Sequence, residues 1–137
     1  MASKKDRIVI DTNLWISFLL SKTSSDLDKL LRQENIMLLF SEELLEEFIE
    51  VASRPKFKKY FSAADLEQLI LQIRGRGQFI EVTSMIELCR DPKDNFLLSL
   101  CKDGNATHLI TGDKDLLDLI KIARTKITTM KLYLSNY

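Results

Sequence analysis

Histidine is almost missing from this sequence: His108 is the single one, and it lies inside an apolar strand-like run. It reads as structural, so any hydrolytic chemistry must rest on other groups. Cysteine is scarce as well. Cys89 and Cys101 follow no metal-ligand spacing and read as two inert thiols of a reduced intracellular protein. Neither sign of charge predominates, because 20 Lys and Arg balance 20 Asp and Glu. A net charge of zero provides no global field to draw in nucleic acid, and such binding would need a local basic patch. Long apolar runs are absent, and the basic MASKKDR passes straight into IVID without a small-residue cleavage site. The expectation is a cytoplasmic protein with neither signal peptide nor membrane span nor membrane partner. Repeats, low-complexity tracts and linkers are also lacking. A chain of 137 residues, 45% apolar and 29% charged, suits a single domain over 1–137 with a sizeable core.

What is present is alternation. Ile8, Val9 and Ile10 are a β-branched run suited to a strand covered on both faces. Leu14, Trp15, Phe18 and Leu19 then recur at helical spacing. Ser24, Ser25 and Asp26 read as the cap of a helix through Leu27, Leu30 and Leu31. Residues 36–40 form a second apolar strand, and Ser41 caps a helix running toward Ser53 with Glu42 and Glu43 in its first turn. Residues 56–61 read as a short basic turn or helix, and 65–73 as a helix ended by Gly75 and Gly77. Residues 79–82 form a third strand and Leu109-Ile110 a fourth. Helices are expected over 95–102 and 114–122, and a last short edge strand over 127–129. This pattern predicts an α/β fold, a three-layer α/β/α sandwich around a mainly parallel sheet. In such sheets the ligand site lies beyond the carboxyl ends of the strands.

That rule gives the aspartates their interest. Asp11 closes the first strand and opens the first helix, and Asp113 does the same after HLIT and a glycine. Each suits two roles, an N-cap for free helix N–H groups or a ligand on the sheet rim. Asp91-Pro92-Lys93-Asp94 reads as cap, favoured first residue and third-position acid, with Asp94 alternatively a rim acid. In a parallel sheet Asp11, Asp94 and Asp113 share one rim. A fourth acid comes from SEELLEEFIEVASR. At about 100° per residue, Leu44, Leu45, Phe48, Val51 and Ala52 form the buried stripe, with Glu46 and Glu50 opposite. Glu47 falls on the flank beside Leu44 and Val51, placed to point along the rim or to sit in a surface ion pair.

IVIDTN, LLEEFIEV ahead of RPKF, DPKDN and LITGDKDLL stand in this order over nearly the whole chain. Together they resemble the PIN domain family, and within it bacterial proteins that act as toxins of toxin–antitoxin systems. The resemblance implies a compact α/β/α sandwich whose acidic residues bind Mg²⁺ or Mn²⁺ and cleave RNA. By position the family's acids fall on Asp11, Glu47, Asp94 and Asp113. Glu47 takes precedence over Glu46 because the family's acid stands four residues before the valine, here Val51. Asn13 matches a small polar position that helps hold the first aspartate, Asp115 a frequent extra acid, and Asp91 a frequent residue of the DPxD turn. The resemblance also implies an antitoxin lying along the active-site groove, and a homodimer.

The residue types suit that chemistry. Mg²⁺ is hard and takes oxygen ligands, and four crowded carboxylates repel one another until protons or a divalent ion relieve them. Asp11 and Asp94 would hold the ion, with Glu47 and Asp113 binding directly or through water. RNA would need basic residues at the margin. Arg54, Lys56, Lys58 and Lys59, interleaved with Phe57, Tyr60 and Phe61, and the pair Arg74 and Arg76 in a flexible loop around Gly75, could hold phosphates while an aromatic stacks on a base. They could equally be a solvated surface with the phenylalanines in the core. Two other classes compete: a non-catalytic interaction module of the same fold, and an aspartate-based phosphatase. The latter wants an acid two residues after its nucleophile, where this chain has Asn13.

Overall fold

The central strand of the sheet, β1 (Asp6–Ile10), is buried at Ile8, Val9 and Ile10 in succession, as a strand covered on both faces must be. The computed structural model describes residues 5–21 and 29–135. After β1 come α1 (Thr12–Ser21), β2 (Ile36–Phe40), α2 (Glu42–Ala52), a 3-10 turn (Pro55–Phe57), α3 (Ala63–Arg76) and β3 (Gly77–Phe79). Then follow α4 (Pro92–Asp103), β4 (His108–Ile110), α5 (Lys114–Leu117), β5 (Lys121–Ile122), β6 (Thr125–Thr128) and α6 (Met130–Ser135).

The strands form one sheet in the order β3-β2-β1-β4-β6-β5. All neighbours pair in parallel except β5, which runs antiparallel to β6. The chain therefore moves outward from β1 to β3, returns beside β1 as β4, and continues the other way. Right-handed crossovers put the helices after β1 and β2 on one face and α4 on the other. The reversal between β1 and β4 is the switch point at which α/β sheets open a crevice at their carboxyl ends. The α/β expectation holds, with a mostly parallel sheet. On the helical side Trp15 packs against Phe40 and Phe48, with ring centroids 5.8 and 6.4 Å away.

Several element boundaries differ from the sequence reading. The third strand is Gly77–Phe79, not 79–82, because β2 ends at Phe40, whose carbonyl accepts its last bond from Ile80. Beyond it, residues 80–91 form an irregular strap held to α4 by side chains one helical turn apart. Asp103 accepts from the N–H groups of Thr83 and Ser84, Ser99 from Ile86, and Asn95 from Cys89. α3 runs through Gly75 to Arg76, so Arg74 and Arg76 belong to its last turn and not to a flexible loop. α5 is one short turn, not a helix to residue 122. Ile120 adopts a left-handed φ of 65°, which breaks the helix and starts the β5–β6 hairpin. The last strand is consequently flanked on both sides and is not an edge. The final helix, α6, went unanticipated. Residues 29–31 are helical, while the cap at Ser24–Asp26 lies outside the described residues.

Candidate active site

Asp11 leaves the end of β1 as the sheet reaches its carboxyl rim, and its carboxylate is almost fully buried. One oxygen caps α1 by accepting the main-chain N–H of Asn13 at 3.1 Å. The other accepts the Thr111 hydroxyl at 2.8 Å, from the segment just beyond β4. Cap and rim acid are thus the same residue. The same Thr111 oxygen accepts the N–H of Asp113 at 3.0 Å, so one buried hydroxyl ties both strand-end aspartates together. Asp113 in turn caps α5, accepting from the N–H of Asp115.

Asp94 enters from α4, where Asp91 is the N-cap and Pro92 the first residue. Glu47 arrives from α2, on the flank of the stripe formed by the buried Leu44, Leu45 and Phe48. These segments line one cleft of about 160 Å³, with Asp11, Glu47, Asp91, Asp94 and Asp113 in its wall beside Thr12, Leu44, Val51 and Leu97. A larger groove, about 450 Å³, runs along the strap past Met85, Ile86 and Phe96 and contains none of these acids. Volume is a poor guide here, and the smaller cleft carries the chemistry-bearing side chains.

The crowding has an electrostatic signature. Burial, a shared hydrogen bond with Asp113 and the charges of Asp113, Asp91 and Asp11 push the Asp94 carboxyl up to about 7. Among the described residues no group of three or more acidic, histidine or cysteine side chains stands ready to hold a metal ion. The carboxylates line one cleft without closing on a single point. Their donor set suits a hard divalent cation: oxygen ligands only, with neither histidine nor cysteine in the wall.

Of the remaining residues named from sequence, Asn13 also lines the cleft and the others do not. Asn13 contributes its main chain to Asp11, while its side chain is exposed. Asp115 is exposed and outside the cleft wall, and Glu46 points to solvent. Arg54 pairs with Glu50 at 3.0 Å, and the Lys56 ammonium sits over the Phe57 ring. Lys58 borders a small separate cavity with Phe61 and Leu66. Arg74 pairs with Glu42 and lies over the Phe79 ring. Arg76 donates to the carbonyls of Leu31 and Gln33. Phe57 and Phe61 stack on each other, with Phe61 buried. His108 contacts Thr107 and the Tyr133 ring away from the cleft. Burial raises both thiols, Cys101 most and Cys89 with help from the cleft aspartates, which leaves them poor nucleophiles.

Two residues escaped the sequence reading. Thr111 stands one glycine before Asp113 and is detectable only as a hydroxyl at a strand end. Lys93 is the single cation in the cleft wall among the described residues, with its ammonium 3.4 Å from Glu47. Replacing Thr111 by valine should leave the Asp113 N–H without its acceptor and free the Asp11 carboxylate to turn. The expected cost is about 1–3 kcal/mol of stability, read from urea unfolding, with Leu109→Met as a volume-neutral control.

An open parallel α/β sheet with an acidic cleft at its switch point defines a domain built to handle a ligand at its carboxyl rim. Residues 7–115 match the PIN domain family, and the chain belongs to it. PIN domains are in general nucleases, hydrolases that act on nucleic acid and generally use divalent metals. No curated protein and no solved structure gives a significant match.

Proposed function

We propose that this PIN domain is a Mg²⁺- or Mn²⁺-dependent endoribonuclease, and that Asp11, Glu47, Asp94 and Asp113 are its metal-holding and catalytic carboxylates. The observation that carries this reading is the convergence of these acids, from separate segments of the chain, on one cleft. When bound, the cation supplies an acidified water and offsets the charge of the scissile phosphate. The protein's own residues prepare the rest. Thr111 and the Asn13 amide hold Asp11 in a fixed orientation, which reduces the rearrangement needed on binding. Burial and the neighbouring acids raise Asp94 to about 7, so near neutral pH it is partly protonated, and a bound cation would favour its ionised form. Glu47 sits about one-third exposed, at the cleft mouth, free to turn inward.

RNA entering this cleft meets the acidic wall first, so the cations of residues 54–59, directly after the helix that carries Glu47, are the margin along which the backbone would run. Asp91, the N-cap of α4 in the cleft wall, and Asp115, exposed in the first turn of α5, would be supporting acids. The likeness to bacterial toxin PIN proteins supports a further reading: a toxin of a toxin–antitoxin system, cytoplasmic, homodimeric and silenced by an antitoxin. No helix among the described residues is long and apolar enough to cross a membrane. The test is direct. Purified protein should cut a fluorescent single-stranded RNA with Mn²⁺ or Mg²⁺, and chelation should stop it. Cleavage that persists in excess chelator would rule out the metal-dependent mechanism.

A further inference from the structure

Resting on the nuclease reading, we propose that Lys93 is the residue that grips substrate phosphate. Its ammonium rests on Glu47 in the free protein and moves to a non-bridging oxygen of the RNA backbone once Glu47 turns to a divalent cation. Its position is the first argument. Lys93 is the second residue of α4, in the first turn, where the helix dipole disfavours a cation and favours acids such as Asp94. Helix stability therefore does not account for it. The cleft does, because five carboxylates line it and Lys93 is the one cation beside them among the described residues.

Mobility is the second argument. The Lys93–Glu47 pair is loose, at 3.4 Å, with side chains 63% and 30% exposed. Exposed pairs of this kind are weak and exchange readily. The main chain below it is not loose, since the Lys93 N–H is fixed on Asp91 at 2.9 Å and Pro92 precedes it. A long flexible stem thus leaves an anchored base at the cleft mouth. The third argument is that the arginines considered for RNA contact already have partners of their own, Arg54 on Glu50, Arg74 on Glu42 and Arg76 on main-chain carbonyls, and among the described residues none of them lies in the cleft wall beside the acids. A polyanion approaching these acids needs a cation at the wall, and this chain offers Lys93. The same residue serves the free site as counter-charge for Glu47, so one ammonium has two alternate partners.

Lys93→Met and Lys93→Arg in the full chain test this with two binding measurements. Without RNA, Mn²⁺ titrated calorimetrically should bind Lys93→Met about two- to fivefold more tightly, because a competitor for Glu47 is gone. With Ca²⁺ in place of Mn²⁺ to hold RNA intact, fluorescence anisotropy of a single-stranded RNA across a KCl series should show about tenfold weaker binding. The log–log salt slope should fall by about 0.7, one phosphate contact on a single strand, and Lys93→Arg should restore both. An unchanged RNA slope and affinity in Lys93→Met would overturn the phosphate contact, and unchanged Mn²⁺ affinity would overturn the exchange with Glu47. Either result leaves the nuclease reading standing if wild type binds both ligands. Wild type that fails to bind Mn²⁺ would overturn that reading and this inference with it.

Discussion

Asp11→Asn should cut metal-dependent RNA cleavage by about a hundredfold to a thousandfold, the loss expected when one preorganised charge is removed from a hydrolytic site. The fold should survive. Asparagine keeps an oxygen for the Asn13 N–H and an amide that can still meet the Thr111 hydroxyl, so both bonds now made by Asp11 have successors. The substitution also removes one negative charge from a cleft whose acids repel one another. The metal-free variant should therefore melt no lower than the parent. Parallel fluorescence cleavage assays and thermal melts would show loss of activity without loss of structure. Equal cleavage by parent and variant would trace the activity to a contaminant and remove Asp11 from the mechanism.

The second large effect is a pH dependence that the cation changes. Asp94 titrates near 7 in the folded protein against an ordinary 3.8, so between those values the native state holds a proton that the unfolded chain has released. The stability that goes with this proton is complete below the lower value and is lost as pH rises through the upper one. Without metal, stability should fall by about 1–3 kcal/mol between pH 5 and pH 7.5. Mn²⁺ at about a hundredfold over its dissociation constant should restore about 2.7 kcal/mol, roughly 10 °C in a domain of this size. That increment should be smallest at pH 5, where the cation must displace the Asp94 proton, and largest above 7. Scanning calorimetry at pH 5, 6 and 7.5 reads this as two curves that separate with rising pH. Parallel curves would mean that Asp94 is not at the cation site.

The two effects pull in opposite directions. The carboxylates that the proposed reaction requires are those whose crowding weakens the metal-free protein, a common relation between activity and stability. Thr111 and Lys93 moderate the conflict. Thr111 donates to Asp11, and Lys93 lends Glu47 a positive neighbour.

Much of this architecture was legible because local chemistry and tertiary role coincide. Ile8 to Ile10 are β-branched and buried on both faces, Ser41 has the side chain that caps α2, and Asp91-Pro92 opens α4 as its residue types require. Where they part, the reading failed. Ile80 to Val82 have strand propensity, but β2 has already ended and offers them no partner. The stretch from Lys114 to Ile122 has helical periodicity, yet a left-handed Ile120 and pairing with β6 turn it into a hairpin. Gly75 and Gly77 looked like helix stops, but Gly75 is tolerated inside α3, which buries Leu66, Leu69 and Ile73.

By itself the sequence determined that strands and helices alternate, that acids stand at the strand ends and helix starts, and that neither histidine nor cysteine is on hand to share their work. Those are properties of spacing and residue type, which are written locally. Only the tertiary structure decided that Asp11, Glu47, Asp94 and Asp113 line one cleft, that a single Thr111 hydroxyl ties two of them, and that Lys93 is the cation beside them among the described residues. Each of these depends on β4 returning beside β1, with Asp11 and Thr111 a hundred residues apart in sequence but in hydrogen-bond contact. No local pattern encodes such a contact.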